Sequence, residues 1–204
     1  MSSQDRALPA SQQLIEQTLA ARDRIDVLFN NAGSFNALGA IWEVDPDLWW
    51  QDVIVNLRGP MLTCGAVIPV MIRQGSGIIL NMRGGDQIPG GTGYSCSKVA
   101  LQRLTELLAK EVTAVAAPIL VVGMGPGFVH TEMTQLQADA PEGRRWIPGS
   151  GRAIAQGRAR PPQDCARKSV ELVRRATPAF HGKAFGPDSD LDAMLAEASP
   201  QIPQ

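Results

Sequence analysis

The chain has 204 residues, of which 44% are hydrophobic and 19% are charged, and its formal net charge is −1. These values fit one folded domain with a buried core, and the balanced charge argues against nucleic acid or an anionic membrane as a partner. The first twelve residues are polar and no stretch of eighteen residues is wholly apolar, so the sequence predicts neither a signal peptide nor a membrane span.

The first half of the chain alternates helical and strand patterns. Apolar spacing predicts a short amphipathic helix over Leu14–Ala21, and the apolar run Ile25–Phe29 predicts a strand. A long helical segment is predicted over Asp45–Ile72, with Asp45 as its N-cap. Pro60 and Pro69 are expected to kink or interrupt this segment, because proline lacks the N–H that a helix interior needs.

The second half continues the alternation. We predict a strand over Gly77–Met82, a glycine-rich loop over Arg83–Gly93, a helix over Tyr94–Val112 and a strand over Pro118–Gly123. The segment Gly125–Arg160 is interpreted as irregular. It is too long for a simple connection, which favours a lid or a substrate-binding loop.

The C-terminal part completes one predicted α/β domain over residues 1–204. A helix is predicted over Ala166–Arg175 and a last short strand over Lys183–Phe185, while residues 1–12 and 200–204 are expected to be flexible. The strands are continuous apolar runs separated by helices. This pattern is typical of a parallel sheet that is covered by helices on both faces.

Tyr94 and Lys98 are spaced one helical turn apart, so their side chains share one face of a predicted helix. A lysine ammonium beside a phenol favours the phenolate and lowers the pKa of the tyrosine. Such a pair suits acid–base chemistry at a carbonyl or an alcohol. Taken alone, the spacing is more typical of a helix with a surface lysine.

Other segments place this pair in a recognisable series. They are the strand and NNAG turn at Ile25–Gly33, the Val55–Pro60 segment, the strand at Ile78–Asn81, the YxxxK pair Tyr94 and Lys98, the PG motif Pro126-Gly127 followed by Thr131, and the strand at His181–Phe185. In content and order, the series resembles the short-chain dehydrogenase/reductase (SDR) family over roughly Leu14 to Leu195.

The resemblance implies a Rossmann-like, doubly wound α/β fold with a parallel sheet and flanking helices. It implies a catalytic set made of Tyr94, Lys98 and Asn56. Independently of the resemblance, the wide spacing of the three cysteines argues against a zinc site, and we expect no metal. Residual contacts to a nicotinamide cofactor would come from the NNAG turn and the PG motif. The residues concerned are Asn31, Ala32, Gly33, Pro126, Gly127 and Thr131.

The beginning of the chain departs from the family pattern. Family members open with a strand, a TGxxxGxG turn and a helix, and this turn holds the pyrophosphate of a dinucleotide. In this sequence no glycine precedes Gly33. We therefore interpret the chain as an N-terminally truncated member with family strands 4-5-6-7, and we expect NADH and NADPH to bind weakly or not at all.

The second departure concerns the catalytic serine of the family, which follows strand 5. Gly84 stands at the aligned position, and glycine has no hydroxyl that could hold a substrate oxygen. The hydroxyls of Thr92, Ser95 and Ser97 are candidates to replace it.

The truncation would leave Ile25–Phe29 at the edge of the sheet. A bare apolar edge strand is an aggregation hazard unless something covers it. We therefore expect cover from a partner chain, from the Leu14 helix, or from both. Because the family usually dimerises through its two long helices, we expect a homodimer, with a heteromer containing a full-length SDR as the alternative.

Three functional hypotheses remain open at this point. The leading one is an SDR-derived enzyme that uses Tyr94 and Lys98 on a carbonyl or enol of a small organic substrate, as an isomerase, cyclase or dehydratase with no cofactor. The first alternative is an NAD(P)-dependent carbonyl or alcohol oxidoreductase with an atypical cofactor site, and the second is a non-catalytic SDR partner subunit. The three cysteines form no CxxC pair, so we expect a reducing, cytoplasmic location.

Overall fold

The computed structural model describes residues 10–198 as four strands and a set of helices. The strands are β1 (Val27–Asn30), β2 (Gly77–Met82), β3 (Ile119–Met124) and β4 (Ala184–Phe185). The helices are α1 (Ala10–Arg22), α2 (Pro46–Val53), α3 (Gly59–Gln74), α4 (Thr92–Ala114), α5 (Glu132–Asp139), α6 (Pro141–Trp146), α7 (Pro148–Ala155), α8 (Pro162–Arg174) and α9 (Leu191–Ala198).

Within the described residues, the strands form one sheet in the order β1-β2-β3-β4, and every pairing is parallel. Val27 lies opposite Ile78, and Ile78 lies opposite Leu120, so the three longer strands run in register. All strands therefore end at the same edge of the sheet, where α/β proteins bind their ligands. The predicted parallel sheet and its four strands are confirmed.

Two apolar clusters cover the two faces of the sheet. One includes Ile79 and Val121 and joins the sheet to α1, α3 and α4. The other includes Leu80 and Val122 and joins it to α8 and α9. The last of these helices, α9, is absent from the sequence predictions. Together the clusters confirm the expected layering of helices on both sides of the sheet.

The predicted helix over Asp45–Ile72 is observed as one helical stretch with a change of pitch. The Asp45 side chain accepts a hydrogen bond from the Asp47 backbone N–H at 2.8 Å. A π-helical turn at Ile54–Arg58 separates α2 from α3, shortly before Pro60. Pro69 lies inside α3 without ending it, so only the first of the two expected interruptions is present.

This stretch, Pro46–Gln74, is long and apolar enough to cross a membrane by length and composition alone. The sequence prediction of no membrane span counted only uninterrupted apolar residues, whereas this test tolerates scattered polar positions. The buried Asp52 and Asn56 of this stretch bind the loop that follows β1. Core helices pass the same length test, so the finding is weak evidence for a membrane span.

The interpretation of Gly125–Arg160 as irregular is wrong. The segment contains α5, α6 and α7. Thr131 forms a capping box with Thr134 at the start of α5, and prolines stand at the first positions of α6 and α7. These local start signals define helices of only six to eight residues, which are too short for apolar periodicity to reveal.

The Leu14 helix does not cover the edge strand as expected. Helix α1 packs on α3, where Ile15 joins the core cluster on that side of the sheet. Val27 and Phe29 of β1 remain 38% and 42% exposed. The expected flexible ends, residues 1–12 and 200–204, lie largely outside the described residues, although residues 10–12 belong to α1.

Candidate active site

Tyr94 and Lys98 lie on the first turns of α4, at the edge where the strands end. The Lys98 Nζ atom is 5.7 Å from the centroid of the Tyr94 ring and donates a hydrogen bond to the Met82 carbonyl at 3.0 Å. Lys98 is 4% exposed. Burial lowers the pKa of its ammonium from 10.5 to about 8. The helix therefore brings the predicted pair together in a poorly hydrated site.

The Tyr94 phenol is protonated under ordinary conditions. Burial raises its pKa to about 12, because the charged phenolate loses hydration more than the neutral form does. The sequence expectation that Lys98 lowers this pKa is wrong, since desolvation dominates. Within residues 10–198, no hydrogen bond is made by the Tyr94 hydroxyl, which leaves it available to a ligand.

Asn56 lies in the π-helical turn and is fully buried. Its Nδ2 donates to the Ser34 carbonyl at 2.8 Å and to the Ser97 Oγ at 3.0 Å, and its Oδ1 accepts from the Ser34 N–H at 2.8 Å. These bonds tie the loop after β1 to α4. The side chain does not line the neighbouring cavity, so Asn56 is placed to position α4 rather than to touch a ligand.

A cavity of about 930 Å³ opens beside Tyr94 and Lys98. It collects all the residues that sequence analysis assigned to the cofactor, which are Asn31, Ala32, Gly33, Pro126, Gly127 and Thr131. The remaining walls are mainly apolar. They include Met82, Ile88, Phe128, Val129, Met133 and Cys165. The structure thus brings two distant motifs of the chain to one binding space.

The three candidate replacements for the family serine have other partners. The Thr92 Oγ1 accepts a hydrogen bond from the Trp49 Nε1 at 3.0 Å, and the Ser95 Oγ accepts one from the Ile88 N–H at 3.3 Å. The Ser97 Oγ donates to the Tyr94 carbonyl and accepts from Asn56. None of the three lines the cavity, so the suggestion that one of them replaces the serine is wrong.

Sequence analysis missed Phe35, which stacks on Tyr94 with ring centroids 4.6 Å apart and an interplanar angle of 10°. It also missed the α8 wall of the cavity, which contributes Cys165 and Ser169. These positions carry no motif. Phe35 is the second residue after the NNAG turn, and that proximity is the one sequence signal that could have identified it.

The segment that contains α5 to α7 contacts the body of the domain beside the site. Trp146 meets Trp42 edge to face, with ring centroids 6.3 Å apart, and Arg145 pairs with Glu43 at 3.3 Å. Met133 and Thr134 at the start of α5 line the cavity. This segment therefore forms one wall of the binding space, as a substrate loop would.

Comparisons with known proteins agree with this geometry. A family model described as short chain dehydrogenase matches residues 6–142. The 3-oxoacyl-[acyl-carrier-protein] reductase FabG of Thermotoga maritima is 32% identical over 183 residues, covering 88% of this chain and 71% of the reductase. The chain belongs to the short-chain dehydrogenase/reductase family.

Other matches show how much of a family member is present. The FabG of Chlamydia pneumoniae is 32% identical over 164 residues, and the chain covers 62% of its length, which is less than two thirds. The solved KRED1-Pglu enzyme superposes with a TM-score of 0.75 at 25% identity, covering 85% of this chain and 73% of that enzyme. The residues matched by the family model include β1, β2, β3, Tyr94 and Lys98, whereas β4 and the α8 wall of the cavity follow its last matched residue.

Proposed function

We propose that this chain is an oxidoreductase that reduces a carbonyl group with NADH or NADPH. The two FabG relatives are described as 3-oxoacyl-[acyl-carrier-protein] reductases, and the matching family model is that of a dehydrogenase. The hypothesis of an enzyme without hydride transfer finds no support among these proteins. The oxidoreductase alternative therefore becomes the leading hypothesis.

The observation that carries the proposal is a protonated phenol on the wall of a ligand-sized cavity. With a pKa of about 12, only about one Tyr94 side chain in 10⁵ is ionised at pH 7. Tyr94 is therefore suited to donate its proton to a carbonyl oxygen as that oxygen becomes an alcohol. The reverse reaction starts from the phenolate, which is scarce at pH 7, so we expect alcohol oxidation to need a higher pH than carbonyl reduction.

Lys98 supports this proton transfer by its charge. With a pKa of about 8, Lys98 is protonated in most molecules at pH 7. The ammonium then offsets the negative charge that develops on the Tyr94 oxygen as the proton leaves. We therefore expect carbonyl reduction to slow as the pH rises through the pKa of Lys98.

The residues around the cavity fit the nicotinamide end of a dinucleotide. The NNAG turn and the PG motif with Thr131 would hold it beside Tyr94. Gly33 lies close to the catalytic pair, since a methyl group there would make an ordinary contact with the Lys98 Nζ at 3.7 Å. When bound, NADH or NADPH supplies the hydride. The TGxxxGxG segment that relatives use for the pyrophosphate is not found in this sequence.

The walls of the cavity suggest a class of substrate. The charged side chains among the described lining residues are Arg83 and Lys98, both cationic, and the other walls are largely apolar. A ketone or aldehyde with an apolar body and no positive charge would fit this surface. An anionic group elsewhere on the substrate would also be tolerated.

A direct assay tests the proposal. The 204-residue chain would be mixed with NADH or NADPH and a panel of apolar ketones, aldehydes and a 3-oxoacyl thioester. Loss of the reduced-nicotinamide absorbance would be followed across pH 6 to 10, together with oxidation of the matching alcohols. Reduction should exceed oxidation at pH 7, and oxidation should gain with rising pH. Oxidation that dominates at pH 7 would contradict the role of Tyr94 as an acid, and a chain inert in both directions would favour the non-catalytic subunit.

A further inference from the structure

The Tyr94 ring is confined on two sides. The Phe35 ring stacks on one face at 4.6 Å, and the Gly84 backbone lies against the hydroxyl end. A methyl group built on Gly84 would overlap the Tyr94 hydroxyl, would lie 2.7 Å from its Cζ and would lie 3.0 Å from the Lys98 Cγ. The phenol therefore fills space that any side chain at position 84 would need.

Phe35 itself is rigidly held. It is 2% exposed and packs on Gly91, where a methyl group would overlap its ring. The residues on either side of Phe35 are fixed by the buried side chains of the helical stretch. The Asn56 Oδ1 accepts from the Ser34 N–H at 2.8 Å, and the Asp52 Oδ1 accepts from the Asn36 N–H at 2.9 Å. These bonds fix the backbone that carries Phe35, so we expect its ring to keep its place against Tyr94.

We propose that Gly84 and Phe35 are positioning residues. They hold the Tyr94 hydroxyl in the volume that a side chain at position 84 would fill, so a single protein hydroxyl binds the substrate oxygen in that volume. The inference rests on the proposed function for the identity of the ligand atom. It explains why none of Thr92, Ser95 and Ser97 takes over. The place that a second hydroxyl would occupy is already filled by the first.

A consequence is that restoring the family serine at position 84 should lower the rate of carbonyl reduction. In Gly84→Ser and Gly84→Ala, the new Cβ would overlap the present position of the Tyr94 hydroxyl, so we expect the phenol to be displaced. A misplacement of about 1 Å at a reacting group can lower a rate by about 10². We therefore expect both variants to reduce carbonyl substrates at least about tenfold more slowly, with the serine hydroxyl giving no rescue.

The position of the phenol can be measured without any activity, because Tyr94 is the only tyrosine in the chain. After a rapid pH jump from 8 to 11, a phenol with a pKa of about 12 is only about 10% ionised. A phenol pushed toward water, with a pKa near 10, would be about 90% ionised. Tyrosinate absorbance in the first milliseconds should therefore stay low in the original chain and rise in Gly84→Ala and Phe35→Leu.

Gly149→Ala is the matched control, because Gly149 has open space around its Cα and lies on α7, away from Tyr94. A second measurement is made at pH 8, so it does not require the variants to stay folded at pH 11. Tyrosine labelled with ¹³C at Cζ gives one resonance, which should move in Gly84→Ala and Phe35→Leu and should stay in place in Gly149→Ala.

An unmoved resonance in Gly84→Ala, or an unchanged rate in Gly84→Ser, would overturn the inference, since the loop rather than the phenol would then have yielded. These outcomes are separable from failure of the proposed function. If the chain reduces no carbonyl compound but its variants show the spectroscopic shifts, the inference about Tyr94 stands and the proposal of a reductase fails.

Discussion

Replacing Lys98 with methionine should make the folded chain more stable at neutral pH, although it removes a side chain that we place in the active site. The pKa of Lys98 is about 8 in the folded chain and 10.5 ordinarily. This difference corresponds to about 3 kcal/mol of folding free energy. Below pH 8 the ammonium is charged in both states, and the folded state bears the full desolvation cost. As the pH rises from 8 to 10.5, the folded state releases its proton first, and the cost disappears.

Lys98→Met removes this cost but also the 3.0 Å hydrogen bond to the Met82 carbonyl, a loss of about 1 kcal/mol or more. We expect a net gain of about 1–2 kcal/mol at pH 7. Most of the ~3 kcal/mol is lost as Lys98 of the folded chain releases its proton. The difference in unfolding free energy between the variant and the original chain should therefore fall by about 2–3 kcal/mol between pH 7 and 10.

Urea unfolding at both pH values measures these free energies directly. Comparing the two chains at each pH cancels the ionisation of Tyr94, which lowers stability above pH 10 because the folded phenol keeps its proton longer. Lys110→Met removes an exposed lysine from the same helix and serves as the control. If Lys98→Met and the original chain differ by the same amount at pH 7 and pH 10, Lys98 is not a desolvated cation, and its proposed role fails with it.

Three further predictions follow from the site and the surface. Tyr94→Phe should keep the stack on Phe35 and the fold but lower the rate of carbonyl reduction by about 10² or more, and full activity in steady-state kinetics would make the tyrosine structural. Reduced nicotinamide mononucleotide should bind this chain within about tenfold of NADPH, or about 1.4 kcal/mol, and calorimetry that finds a 10³-fold preference for NADPH would reveal pyrophosphate contacts that we do not identify. Met61, Val99 and Leu107 expose apolar side chains on the two long helices, so we expect a homodimer in solution, and sedimentation of a micromolar monomer would count against it.

The sheet and the Tyr94–Lys98 pair were predictable because both follow from local rules. A continuous apolar run such as Gly77–Met82 is short, is bounded by turn residues and has to be buried on both faces. Two residues four apart in a helix share a face whatever surrounds them. The NNAG turn and the PG motif then meet at one cavity because parallel strands end at a common edge.

The failures of prediction come from tertiary surroundings. Tyr94 was expected to have a lowered pKa from its lysine neighbour, but burial, which no spacing reveals, raises it. Phe35 reaches Tyr94 across 59 positions of sequence, and only the folded loop brings them together. In the sequence, Gly84 marks the loss of the family's serine hydroxyl. In the structure, the Tyr94 phenol occupies the space where a side chain at position 84 would lie.

The most direct test of the central claim is transfer of a labelled hydride. The 204-residue chain would be incubated with NADH or NADPH deuterated at either face of C4 of the nicotinamide, together with the carbonyl panel, and the products would be analysed by mass spectrometry. The account predicts an alcohol that carries one deuterium from one face only, formed at least about 10² times more slowly by Tyr94→Phe. Unlabelled products, or no product at millimolar nucleotide, would contradict the assignment of this chain as a carbonyl reductase.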